Sequence, residues 1–121
     1  MTVWPAIAVF GTTVCIGMYM GWQYLMGVRN NRVLIGVHLV LGVIGLEVVA
    51  TLIRNAFDAV DAPSGNMGRA AAVVLALALL TGLLVPLLAP RYPRSITPGL
   101  VVHALVGTVG FGLLLVWAMR W

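Results

Sequence analysis

Two side chains able to ligate a metal stand in otherwise apolar sequence: His38 in HLVLGVIG and His103 in HALVGTVG, the only histidines of the chain. Each opens the pattern His-x-x-x-Gly-x-x-Gly, which gives His38, Gly42 and Gly45 in one copy and His103, Gly107 and Gly110 in the other. A neutral imidazole offers a lone pair to a metal, and its charge changes near neutral pH. An ionisable group in hydrocarbon is costly, so it is read as functional, with a partner to be named. One acid, Glu47, also interrupts an apolar run and is a candidate proton or quinol group.

The elements that must position these groups follow from composition. The chain has 121 residues, 62% hydrophobic and 8% charged, where a soluble domain carries about 25% charged residues. This is the composition of an all-α integral membrane protein. The basic excess is entirely arginine (Arg29, Arg32, Arg54, Arg69, Arg91, Arg94, Arg120), placed at the ends of apolar runs. That is the pattern of membrane-edge residues, so the pI near 10.3 does not indicate nucleic-acid binding. The lone Cys15 excludes an intramolecular disulfide and reads as a small hydrophobe. The first residues lack the basic region of a signal peptide, and the run that follows is read as a retained helix. Arginine without lysine, with abundant Ala, Val, Gly and Leu, fits a bacterium of high genomic GC content and hence its inner (cytoplasmic) membrane.

A membrane helix needs roughly 20 apolar residues. Four segments of one membrane domain, 1–121, meet that length: 3–26, 33–53, 70–88 and 99–119. Pro5 suits a first helical turn. Pro86 is expected to kink or end the third helix, and Pro90, Pro93 and Pro98 to fix the turn after it. Trp4, Trp22, Tyr24, Tyr92, Trp117 and Trp121 fall near predicted ends, as an interfacial aromatic belt would. Two links are short, which makes neighbouring helices antiparallel and predicts an up-down-up-down bundle. The short links carry Arg29, Arg32, Arg91 and Arg94 without an acid, against Arg54, Arg69 and Arg120 on the other side. The positive-inside rule then puts the short links in the cytoplasm and both termini outside. The remaining loop, Arg54 to Arg69, reads as a solvated connector, with Phe57 and Val60 able to lie along the membrane surface and Asp58 and Asp61 as acids that offset its arginines.

In such a bundle the second and fourth helices run the same way, and both histidines fall roughly 6 to 8 Å inside the short-link boundary. Positions i+4 and i+7 return to the histidine face, so Gly42, Gly45, Gly107 and Gly110 leave room there for a neighbouring helix or for a flat ring beside its ligand. Two imidazoles at one depth suit the two axial positions of a haem iron, and full axial occupancy favours electron transfer over oxygen binding. No third histidine or carboxylate pair shares these faces, which argues against zinc, copper or a di-iron site.

The two HxxxGxxG stretches resemble the helices of membrane b-type cytochromes of the cytochrome b561-like kind. The resemblance covers about a third of the chain. It implies haem b held between bundle helices by histidines, here His38 and His103, with Gly42, Gly45, Gly107 and Gly110 beside it. Two histidines in place of the familiar four imply one haem at most, and without a CxxCH motif it would be non-covalent. Three alternatives stay open: each histidine ligating its own chlorophyll-type pigment, with Gly99 four residues before His103 but Leu34 at the matching place; no cofactor, with each histidine bonded to a backbone carbonyl or threonine; and a transporter coupled through Glu47, against which the first helix has no acid.

Glu47 lies nine residues after His38, on the opposite side of its helix, with Thr51 and Arg54 in reach. Thr12, Thr13 and Gln23 lie on the first helix; Gly17-x-x-x-Gly21 there is a packing signal, and Met18, Met20 and Met26 fill space. The third helix reads as featureless, facing lipid or a partner. The expected function is a small electron-transfer subunit of a larger membrane redox complex, not an enzyme by itself, or else a non-catalytic accessory subunit of a respiratory or photosynthetic complex.

Overall fold

The computed structural model describes residues 3–57 and 65–120. Four helices make up nearly all of it: α1 (Trp4–Leu25), α2 (Arg32–Phe57), α3 (Gly65–Leu88) and α4 (Ile96–Ala118), with a 3-10 turn at Pro93–Ser95 leading into α4. All four are long and apolar enough to cross a membrane. Even α1, with 22 residues, extends about 33 Å, against about 30 Å for the hydrocarbon core.

The helix ends follow local chemistry. Pro5 lies in the first turn of α1, where a missing N–H leaves nothing unpaired. That helix closes on Gly27 with a φ of +70°; the Gly27 N–H donates to the Tyr24 carbonyl and the Val28 N–H to the Gln23 carbonyl, the Schellman arrangement. Asn31 caps α2 by accepting the Val33 N–H on its Oδ1 at 2.8 Å.

Several expected boundaries move. α2 continues to Phe57 and α3 starts at Gly65, about a turn beyond 53 and before 70, because a helix need not stop where its side chains turn polar. The far end of α3 does not move: the helix runs through Pro86 and stops at Leu88, the expected limit. α4 begins at Ile96, so Pro98 belongs to its first turn and not to the preceding link; there its absent N–H costs no helical bond. The expectations for Asp58, Val60, Asp61 and Trp121 fall outside the described residues.

α1 packs on α2, α2 on α3, α3 most extensively on α4, and α4 back on α1, while the diagonal pairs α1/α3 and α2/α4 make no backbone approach. Facing residues climb on one helix as they fall on the other. Gly17 meets His38 and Gly45 meets Phe10; Gly82 meets His103 and Gly110 meets Leu75. Each hairpin is therefore antiparallel.

The two hairpins also repeat one another at a single constant offset along the chain. Ala6, Phe10, Gly17, His38, Gly42, Gly45, Val49 and Leu52 correspond to Ala71, Leu75, Gly82, His103, Gly107, Gly110, Leu114 and Trp117. Packing follows the repeat: Ala6 and Ala71, and Val49 and Leu114, are all fully buried.

Among the described residues, the buried ones are confined to one end and the middle of the bundle. Val3, Ala6, Phe10, Val49, Leu52, Ala71, Leu75, Leu114 and Trp117 form one apolar cluster where α1 and α3 begin and α2 and α4 end. Trp117 belongs to this core at 1% exposure, not to an interfacial belt, because Gly68 lets its indole lie against α3. Trp4, Trp22, Tyr24 and Tyr92 are exposed. Past Thr13, Gly45, Ala78 and Gly110 toward the short links, no described residue is buried. The helices share no core there, and the histidines stand at that border.

Candidate functional site

His38 on α2 and His103 on α4 come together across the diagonal, with ring centroids 5.9 Å apart and ring planes at 80°. Each is held the same way. The Nδ1–H of His38 donates to the carbonyl oxygen of Thr13 at 3.0 Å, and the Nδ1–H of His103 donates to that of Ala78 at 2.8 Å. In both cases the acceptor lies 25 residues earlier, on the preceding helix of the same hairpin.

These two bonds fix the chemistry of the rings. A carbonyl oxygen can only accept, so Nδ1 carries the proton in each imidazole. The neutral ring then bears its lone pair on Nε2, the form that ligates metals, and such a second hydrogen bond is the usual means of orienting a ligating histidine. Among the described residues neither Nε2 has a hydrogen-bond partner. Two neutral acceptors cannot bond to each other; a bridging water, a proton or a metal ion is needed to join them.

The rings meet edge to face at 80°, an ordinary ring contact, and their 5.9 Å centroid separation is also close to that of two imidazoles opposed across one metal ion. Metal–imidazole bonds of about 2.0–2.1 Å, the length found for zinc, place two opposed Nε2 atoms about 4 Å apart and the ring centroids, each about 1.1 Å further back, about 6 Å apart. Among the described residues no group of three or more His, Cys, Asp or Glu comes together, so the pair supplies two ligands. A metal that brings its own equatorial ligands, as in a metallated tetrapyrrole, matches that donor set.

The glycines divide into two kinds. A Cβ on Gly45 would stand 2.8 Å from the Phe10 ring, and one on Gly110 2.9 Å from Leu75, so both accommodate side chains of their own hairpin. Gly42 and Gly107 have only ordinary contacts, with Leu79 and Ala78 of α3. The glycines in contact with the imidazoles are different ones. A Cβ on Gly17 would stand 2.9 Å from Cε1 of His38, and one on Gly82 2.7 Å from Cε1 of His103. Sequence reasoning allowed a backbone carbonyl as partner of each histidine, which the structure shows, but did not locate Thr13 or Ala78; it missed Gly82 and took Gly17 for helix packing alone. α3, read as featureless, supplies both the acceptor and the cradle of His103. Extending the repeat beyond HxxxGxxG pairs Gly17 with Gly82, identical at the same offset, but does not show that they touch the imidazoles.

Glu47 stands apart from the pair. Its carboxylate lies 3.5 Å from Arg54, with both side chains largely exposed, and Arg54 also donates to the Thr51 hydroxyl at 3.3 Å. The repeat places Gly112 opposite it, so this group has no counterpart in the second hairpin. Thr12, Thr13, Thr51 and Thr108 satisfy themselves within their helices, each donating to the carbonyl four residues back, whereas Thr97 pairs with the Tyr24 hydroxyl of α1.

Comparison with protein-family models, with curated proteins and with solved structures finds no match.

Proposed function

We propose that the chain is a small multi-pass membrane cytochrome that binds one non-covalent haem b through Nε2 of His38 and His103. The observation that carries this reading is the histidine pair itself: two imidazoles 5.9 Å apart, each with Nδ1–H committed to a backbone carbonyl. Both rings are thereby prepared as ligands and neither as donor to the other. When bound, haem would supply a one-electron couple, and His38 and His103 would be the residues that hold it. The chain's own contribution is to fix the tautomers, set the distance and hold the site at the edge of the apolar core. The helices cross the bacterial inner membrane up-down-up-down, with the short links and their four arginines in the cytoplasm. Electron exchange with other subunits of a membrane redox complex follows from a site that binds an electron carrier without a substrate position. Gly42 and Gly107, the less crowded glycines of the repeated pattern, would line the approach to the tetrapyrrole, and Glu47, paired with Arg54, is the candidate proton or quinol group.

The second reading is structural, and the carbonyl bonds favour it: they staple α1 to α2 and α3 to α4 without any ligand. Titration of the haem-free protein with haemin separates the readings. One haem per chain, with a six-coordinate low-spin spectrum, supports the cytochrome. Two per chain indicates separate tetrapyrroles, and no saturable binding leaves the histidines as staples.

A further inference from the structure

We propose that Gly17 and Gly82 are positioning residues for the histidine pair, one in each hairpin. In an α-helix the N–H of residue i+4 donates to the carbonyl of residue i. Gly17 stands four residues after Thr13, and Gly82 four after Ala78. Each imidazole thus lies across the helical turn whose first carbonyl it engages, in the space where the glycine has no side chain. A Cβ there would come within 2.9 Å of His38 and 2.7 Å of His103. Those contacts fall on Cε1, the carbon between the two ring nitrogens, so a displaced ring loses its Nδ1–H···O alignment and re-aims Nε2 together. The repeat of the whole device, carbonyl, glycine and histidine, at one constant offset is independent of any single contact. Neither glycine is needed for backbone conformation, because both sit in regular helix without positive φ. Alanine would there favour the helix itself, so a loss on substitution reports the ring and not the helix.

The role in ligand geometry rests on the haem reading; the role in fixing the tautomer does not. The test uses the full chain with Gly17→Ala, Gly82→Ala and, as control, Gly21→Ala, whose Cβ would meet nothing within 4 Å. In the haem-free protein, imidazole nitrogen NMR should show both histidines as the Nδ1–H tautomer. Gly17→Ala should convert His38 to a tautomer mixture and leave His103 unchanged, with the reverse in Gly82→Ala. In the haem-loaded protein, each alanine should shift the midpoint potential and the ferric EPR signal, while Gly21→Ala matches wild type. Wild-type tautomers and potentials in both variants would overturn the proposal. So would a simultaneous change at both histidines in each variant, which would mark general loosening. A wild-type protein that binds no haem but gives the tautomer result retains the positioning role and removes the cytochrome.

Discussion

Gly45→Ala tests the tight end of the bundle, because the structure gives the cost in terms of one contact. An alanine Cβ at this position would stand 2.8 Å from Cε2 and 2.9 Å from Cζ of Phe10, whereas ordinary contact starts at 3.4 Å. The ring must therefore retreat by about 0.6 Å. It is 5% exposed and packed in the common core, so the retreat displaces its neighbours too. Overpacking of this kind costs about 1–3 kcal/mol. Alanine returns about 1 kcal/mol in helix propensity over glycine, leaving a net loss of about 0–2 kcal/mol. Gly112→Ala on α4 gains the same propensity with nothing within 4 Å of its Cβ, so it should stabilise by about 1 kcal/mol. Packing drives helix association in lipid as well as in water, so the steric term persists in detergent. The assay is reversible SDS unfolding in mixed micelles, followed by circular dichroism on the haem-free protein. Equal stabilisation by the two alanines would refute the packing described for Phe10 and Gly45.

Other outcomes follow from the same contacts. Trp117→Ala, which empties the space beside Gly68, should cost about 3–5 kcal/mol in the same assay; a change under about 1 kcal/mol would place the indole elsewhere. Tyr24→Phe removes the 2.6 Å hydrogen bond between Tyr24 and Thr97 that ties α1 to α4. Because both groups are exposed, the loss should be at the low end of about 0.5–1.5 kcal/mol. Glu47→Gln breaks an exposed ion pair at 3.5 Å and should change stability by no more than about 1 kcal/mol; a larger loss would mean the pair is buried against lipid or a partner.

Four helices were legible because long apolar runs bounded by arginine allow little else. Their ends were less so: polar residues such as Arg54 and Asn55 extend α2 without breaking it, and Pro98 is compatible with either a link or a first turn. The histidine pair was legible through depth and helix direction, which needed only the short links. Its support was not. Thr13 and Ala78 act through backbone carbonyls, which every residue has, so their side chains carry no signal. Gly45 and Gly110 share the histidine face, yet Phe10 and Leu75 fill them, and only three-dimensional packing distinguishes them from Gly17 and Gly82. Trp117 looked interfacial from its place near a helix end, and the absence of a side chain on Gly68 of another helix decides its burial.

Whether His38 and His103 together hold one haem iron, as proposed, is decided by the reduced-minus-oxidised absorption spectrum of the purified full chain. The wild-type protein should show a sharp α band with its β and Soret partners, lost in both His38→Ala and His103→Ala while helix content is retained. A wild-type protein that stays colourless after haemin is supplied, or a spectrum that survives removal of either histidine, would contradict the proposal.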